Sequence, residues 1–169
     1  MNADSKRQEC CLNCSPMSEI AVITVTTPSQ IRQALDIRRR VFIEEQQVPE
    51  SLEIDAHDRD PGAVTTAVHV LVLLGNVPVA TGRLLLTYDD GRAHIGRVAV
   101  LAEHRRAGYG RAVMQALHAL AAERGIFDIT LAAQLHAIGF YERLGYTVHG
   151  EVFLDAGIEH RWMDIRLQA

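Results

Sequence analysis

Cysteine is scarce: all three, Cys10, Cys11 and Cys14, fall within the first 14 residues, and the rest of the chain has none. That excludes a disulfide-stapled scaffold and leaves the body without a cysteine nucleophile. No apolar run approaches the roughly 18 residues that a membrane-spanning helix needs. Positive charge is not in excess either, with 17 Lys+Arg against 21 Asp+Glu and a net charge of −4. A general nucleic-acid binder, which neutralises phosphates with a basic surplus, is therefore not expected. Only 5 Pro and 12 Gly are present, too few for a collagen-like or low-complexity disordered chain. What remains is a 169-residue chain, 48% hydrophobic and 22% charged, long enough for one domain with its own core and cramped for two. A cytoplasmic protein with no membrane partner is the expectation.

The polar stretch Met1–Pro16 lacks the apolar centre of a signal peptide, and Met17 directly precedes the first strand-like residues. We therefore expect a flexible leader over 1–17 and a single domain over 18–169. The Cys-Cys-x-x-Cys cluster is one ligand short of a structural zinc site, and His57 is the first histidine after it. No His, Asp or Glu set elsewhere has metal spacing, so no metal is expected.

Along the domain, Ile20–Thr26 is rich in Val, Ile and Thr and predicts a strand. Pro28-Ser29 opens a helix with Ile31, Leu35, Arg38/Arg39 and Phe42 at helical spacing. The acidic stretch Gln46–Asp60 predicts a loop or broken second helix. Val68–Leu74, Val77–Leu86 and Ala93–Leu101, joined by turns at Gly75-Asn76 and Tyr88–Gly91, predict an antiparallel meander. A helix beginning near Tyr109 and ending at Gly125 follows, then a strand over Ile126–Ala133 and a short helix over His136–Leu144. Two strands with a turn near Ala156-Gly157 close the chain. The order is βα, three antiparallel strands, then αβαββ: a mixed sheet with packed helices.

The richest chemistry lies where the third meander strand turns into the long helix. Gly108 and Gly110 open that helix among Arg105, Arg106 and Arg111. A helix start offers unpaired N–H groups and partial positive charge to a phosphate, glycines allow close approach, and arginines add charge-assisted hydrogen bonds. The spacing is neither that of a dinucleotide fingerprint nor that of a nucleotide-binding P-loop.

Arg105-x-x-Gly108-x-Gly110 between a strand and an amphipathic helix resembles the acetyl-CoA signature of the GNAT acyltransferases. Phe140-Tyr141-x-x-x-Gly145-Tyr146 is similar to a second element of that family. Val41-Phe42-x-x-Glu45-Gln46-x-Val48-Pro49, Glu53-x-Asp55, Gln134-x-His136 and Glu151 with Gly157-Ile158-x-His160-x-x-Met163 resemble its ElaA-like branch. The resemblance covers about Ile20–Leu167. It implies an α/β GNAT fold, with a mostly antiparallel twisted sheet of about six or seven strands and about four helices.

The resemblance implies an N-acetyltransferase that moves the acetyl group of acetyl-CoA to a small-molecule primary amine by direct attack. Its cofactor-binding residues would be Val98, Ala99, Val100, Arg105, Arg106, Ala107, Gly108, Tyr109, Gly110, Arg111, Gln134 and Tyr141. Many relatives have Asn where this chain has Gln134. Tyr141 would protonate the departing thiolate, a phenol of ordinary pKa near 10 facing a thiol near 8.5. The acidic run Glu44, Glu45, Glu53, Asp55 and Asp58 reads either as a solvated face or as carboxylates drawing in a cationic acceptor. Glu45 and Glu53 are the candidate catalytic bases. His69, His94, His118 and His149 read as structural or exposed, whereas His136 and His160 fall in matched motifs near the cleft. A homodimer is the oligomeric expectation. Two alternatives stay open: a non-catalytic acyl-CoA sensor, and an acyl-homoserine-lactone synthase, echoed by Arg38-x-x-Val41-Phe42, Asp55-x-x-Asp58, Gly82–Leu85 and Arg97.

Overall fold

The computed structural model describes residues 19–87 and 92–168. The leader with Cys10, Cys11, Cys14 and Met17, and the expected turn at Tyr88–Gly91, lie outside the described residues. The chain runs β1 (Ile20–Thr24), α1 (Pro28–Arg38), a π-helical stretch (Arg39–Glu45), α2 (Glu50–Glu53), a 3-10 turn (Ala56–Asp58), β2 (Ala67–Leu74), β3 (Val77–Leu85) and β4 (Ala93–Val100). It continues through α3 (Tyr109–Ala122), β5 (Asp128–Gln134), a 3-10 turn (Leu135–Ala137), α4 (Ile138–Glu142), β6 (Thr147–Asp155) and β7 (Ile158–Arg166). The expected mixed α/β fold is observed, with seven strands in the order β1-β2-β3-β4-β5-β7-β6.

Local chemistry sets the elements. Thr27 caps α1, accepting from the Gln30 amide at 3.2 Å while the Gln30 side chain accepts from the Thr27 amide at 3.1 Å, with Pro28 at the first helical position. The helix does not run unchanged to Phe42 as its spacing predicts. It widens into the π-helical stretch, which shifts the facing of Val41–Glu45 relative to α1. At the far end, Ala156 (φ 50°) and Gly157 (φ 80°) occupy the left-handed region and turn β6 tightly into β7.

Helices cover both faces of the sheet. On one, Val113, Met114 and Leu117 of α3 are fully buried against Val70, Val72, Leu84 and Ile95. Gly82 makes that approach possible: a Cβ there would lie 2.5 Å from Val113 Cγ1 and 3.0 Å from Leu117 Cδ1. On the other face, Ile31, Ala34 and Ile37 of α1 pack with Leu71, Ala99 and Leu101.

Two departures from regular pairing in β4 shape the molecule. Arg83 pairs with Gly96 and Thr81 with Ala99, so Gly82 alone faces both Arg97 and Val98. This is a bulge, and Arg97 takes φ 56° to make it. The extra residue shifts the alternation, so that Ile95 and then Val98 and Val100 all face α3 while Ala99 faces α1. Beyond it, β4 pairs with the parallel strand β5 only at Ala93↔Ile129 and His94↔Thr130. From there the strands part.

Candidate active site

The space between the parted strands is a cavity of about 730 Å³. Gly96–Val100 form one wall, Ala132 and Gln134 of β5 the other, with Phe42 and Glu45 of the π-helical stretch, Gln46 just after it and Tyr141 of α4 closing its sides. Of the residues expected to hold the cofactor, Val98, Ala99, Val100, Arg105, Gln134 and Tyr141 line this cavity. Arg106, Ala107, Gly108, Tyr109, Gly110 and Arg111 do not; they form the loop and first turn of α3 that continue from Arg105.

That loop has the backbone of an anion cradle. Arg106 (φ 66°) and Gly108 (φ 88°) are both left-handed, and no side chain caps α3, so its first N–H groups stay available. A Cβ on Gly108 would meet nothing within 4 Å, so the space above it is open. Gly110 is closer-set, with Phe140 Cζ 3.4 Å from where a Cβ would sit. Arg105 is engaged within the chain: its guanidinium grips both carboxylate oxygens of Glu45 at 2.7 and 2.6 Å, and its Nε donates to the Val100 carbonyl at 3.1 Å. The ion pair holds the Glu45 carboxyl below its ordinary value.

The second expected carboxylate, Glu53, also lines the cavity but is only 3% exposed. Its Oε1 accepts from Arg38 Nε at 2.5 Å and its Oε2 pairs with Arg97 Nε at 3.1 Å. Burial outweighs these partners and pushes the Glu53 carboxyl above its usual range. Arg38 continues to Asp58 at 2.6 and 2.9 Å, and Arg83 bridges Asp58 and Asp55 at 2.8 to 3.0 Å. Burial alone would raise the Asp58 carboxyl, but the hydrogen bonds and charge of Arg38 hold it down at about 2. Arg38, Asp55, Asp58, Arg83 and Arg97, which echo the lactone synthases, are thus one ion-pair network that reaches the cavity wall at Glu53 and Arg97. The acidic run is not a solvated face at Glu53 and Asp58, which are buried. On the cavity wall, Asp155 is the carboxylate without a guanidinium partner among the described residues.

Tyr141 packs edge-on against Phe140 and Tyr146, with ring centroids 4.9 and 5.9 Å away. Burial pushes its phenol up to about 12, so it stays protonated across the working range. Gln134 and Gln46 exchange amide hydrogen bonds at 2.9 and 3.2 Å, bridging β5 to the π-helical stretch. His136 and His160 line the cavity as expected, and so does His94, which the sequence reading set aside. The signal for His94 is its strand: alternation along β4 puts it on the face opposite Ile95, away from α3. The other histidines are structural or exposed: His69 Nε2 lies 3.0 Å from the His57 carbonyl, His118 bonds the Tyr146 hydroxyl at 2.8 Å, and His149 lies against Asp164. Among the described residues no cluster of His, Cys, Asp and Glu is arranged to hold a metal.

Residues 31–146 match the model of the acetyltransferase (GNAT) family. The chain belongs to the GNAT family. An uncharacterized N-acetyltransferase of Bacillus subtilis, YjcF, is 39% identical over 135 residues, spanning 79% of this chain and 91% of the relative. The crystal structure of Escherichia coli ElaA superposes with a TM-score of 0.74 at 28% identity, covering 88% of this chain and all of ElaA. An aminoglycoside 6′-N-acetyltransferase complexed with coenzyme A shares the fold, with a TM-score of 0.67 at 18% identity, covering 89% of this chain and 98% of that one.

As a GNAT acyltransferase the molecule has its parts in a consistent order. An open, uncapped helix start begins α3, the bulged strand β4 leads to it along the cavity, and a protonated phenol lies on the cavity wall.

Proposed function

We propose that the protein is an acetyl-CoA-dependent N-acetyltransferase acting on a small primary amine through a ternary complex. The observation that carries this reading is the parting of β4 from β5 beside the open Gly108 cradle. The loop fits a pyrophosphate: glycine φ angles, unpaired helix-start amides and Arg105, Arg106 and Arg111 suit an anion. Val98, Ala99 and Val100 offer main-chain groups along the cavity for an extended pantetheine, and an N–H of this bulged strand would polarise the thioester carbonyl.

Tyr141 then acts as the O–H donor to the leaving sulfur. With its phenol near 12, proton transfer outright to a thiolate is uphill. Tyr141 therefore gives its proton only as the nitrogen of the tetrahedral adduct returns one to it. Glu45 holds Arg105 at the cofactor end, and Glu53 holds Arg97 at the acceptor end. In this state each carboxylate has its negative charge matched, and each serves the reaction by positioning a guanidinium. Asp155 gives the cavity wall an unmatched carboxylate, which favours a cationic amine. The homodimer and the cytoplasmic setting belong to the same reading; the first rests on the family resemblance and the second on composition.

The test is calorimetric titration of acetyl-CoA into the wild type and Gly108→Glu, followed by an amine panel read as thiol release. We expect micromolar binding that the variant loses, because its carboxylate repels and displaces the pyrophosphate, and acetylation of at least one amine. Wild type that binds no acetyl-CoA overturns the reading; binding without any transfer makes the domain a sensor.

A further inference from the structure

We propose that His160 is the general base that deprotonates the incoming ammonium group; this rests on the acetyltransferase reading above. His160 sits in β7, is 8% exposed, and lines the cavity. Its Nδ1 lies 2.8 Å from the Ile158 carbonyl. A carbonyl only accepts, so Nδ1 must carry the hydrogen and the Nε2 lone pair is the ring's basic site. Nε2 has no hydrogen-bond partner among the described residues, so its lone pair is not already spent. The ring cannot easily turn away: it is stacked on Phe153 at 5.9 Å, with an interplanar angle of 27°.

Register places this lone pair where an amine would arrive. His160 pairs with Phe153 of β6 on one side and with Gln134 of β5 on the other, so all three side chains share a face. Asp155, two residues beyond Phe153, shares that face and brings the unmatched carboxylate to it. The other acidic candidates on the wall are occupied, Glu45 by Arg105 and Glu53 by Arg38 and Arg97. Arg105 holds the Glu45 carboxyl down, and both Glu53 oxygens are turned to Arg38 and Arg97, whereas the His160 ring keeps its tautomer fixed and its Nε2 lone pair open to the cavity. The titratable and charged groups that share the cavity with His160 are His94 and Arg97 of β4, His136 after β5, Asp155 of β6 and Tyr141 of α4, with the paired Glu45, Arg105 and Glu53 across it.

The protons balance. Nε2 takes one from the ammonium, leaving imidazolium and a neutral amine. The amine attacks the thioester carbon and the C–S bond breaks. Tyr141 supplies the sulfur's proton and regains one from the adduct nitrogen. The imidazolium loses its proton to water, so each turnover releases one proton overall.

The experiment compares wild type, His160→Asn and His160→Gln across pH, using the best amine of the panel. Asn keeps an N–H near the Nδ1 position and Gln puts an amide near Nε2; neither is a base. We expect both to bind acetyl-CoA as the wild type does and to lose about 10²-fold in kcat/KM at neutral pH. The loss should shrink as pH rises toward the pKa of the amine itself, about 10 for an alkylamine, because free amine then needs no base. A purely structural role would give a loss that is the same at every pH. A loss independent of pH, or variants within about threefold of wild type at neutral pH, overturns His160 as the base and leaves the acetyltransferase reading standing. Wild type that transfers to no amine overturns both.

Discussion

Tyr141 shows what burial does to a single side chain. It lies on a cavity wall, yet its ring is packed between Phe140 and Tyr146 and its ionisation is disfavoured. A phenol this hard to ionise is useful only while a proton is returning to it, so Tyr141→Phe should lower kcat about 10²-fold. The affinity for acetyl-CoA should change little; steady-state kinetics beside calorimetry separate the two. Tyr141 and the loop from Arg105 to Gly110 were legible in the sequence because their partners are near neighbours in the chain. What holds Arg105 was not legible. Glu45 is 60 residues away, and nothing in either local pattern announces the pairing. His94 was missed for a related reason: its value comes from which face of β4 it occupies, and its own neighbours carry no motif.

Among the elements, hairpins and the amphipathic α3 were readable because alternation, turn residues and helical spacing are local signals. The bulge in β4 was not. Ala93–Leu101 reads as one continuous strand, and only pairing with β3 reveals that Gly82 faces two residues. The same glycine marks the tightest approach between layers, since the helix α3 lies directly over it. Gly82→Ala should therefore destabilise the fold by about 1–3 kcal/mol through overpacking against Val113. Urea denaturation measures this, and a shift in midpoint without a change in slope is the expected form. The π-helical stretch was hidden for the opposite reason. Its residues carry an acceptable helical pattern through Phe42, and the contacts at its far end, Gln46 to β5 and Glu45 to Arg105, are made with residues distant in the chain.

At the scale of the molecule, Arg38, Asp58, Arg83, Asp55, Glu53 and Arg97 tie α1, the α2 region, β3 and β4 into one buried unit. Three guanidinium groups meet three carboxylates, so the network is neutral only when every acid is ionised. Asp58→Asn leaves Arg38 and Arg83 under-matched inside the protein and should cost about 3–5 kcal/mol in unfolding free energy at neutral pH. Asp58 sits near 2 when folded and about 3.9 when unfolded. Its contribution is therefore complete above about pH 4 and fades as the pH falls toward 2, a loss that the Asn variant should not show. The composition disclosed the charges; only the fold discloses that they alternate in sign, with Arg38, Glu53, Asp58 and Arg83 out of water and Asp55 and Arg97 at the edge.

On the proposed reading, the early end of the β4–β5 ladder also makes the cosubstrate part of the architecture. Past His94 and Thr130, two rows of main-chain donors and acceptors run side by side without meeting. A chain bearing amide groups can lie there as a short eighth strand and close the sheet across its middle, as peptides do when they extend an exposed sheet edge. Selection of the donor then depends on its amides and not only on its acyl group: acetyl phosphate, with none, has nothing to lace the two halves together. The bound donor becomes a removable structural member, and the molecule resists unfolding more as that member becomes more abundant.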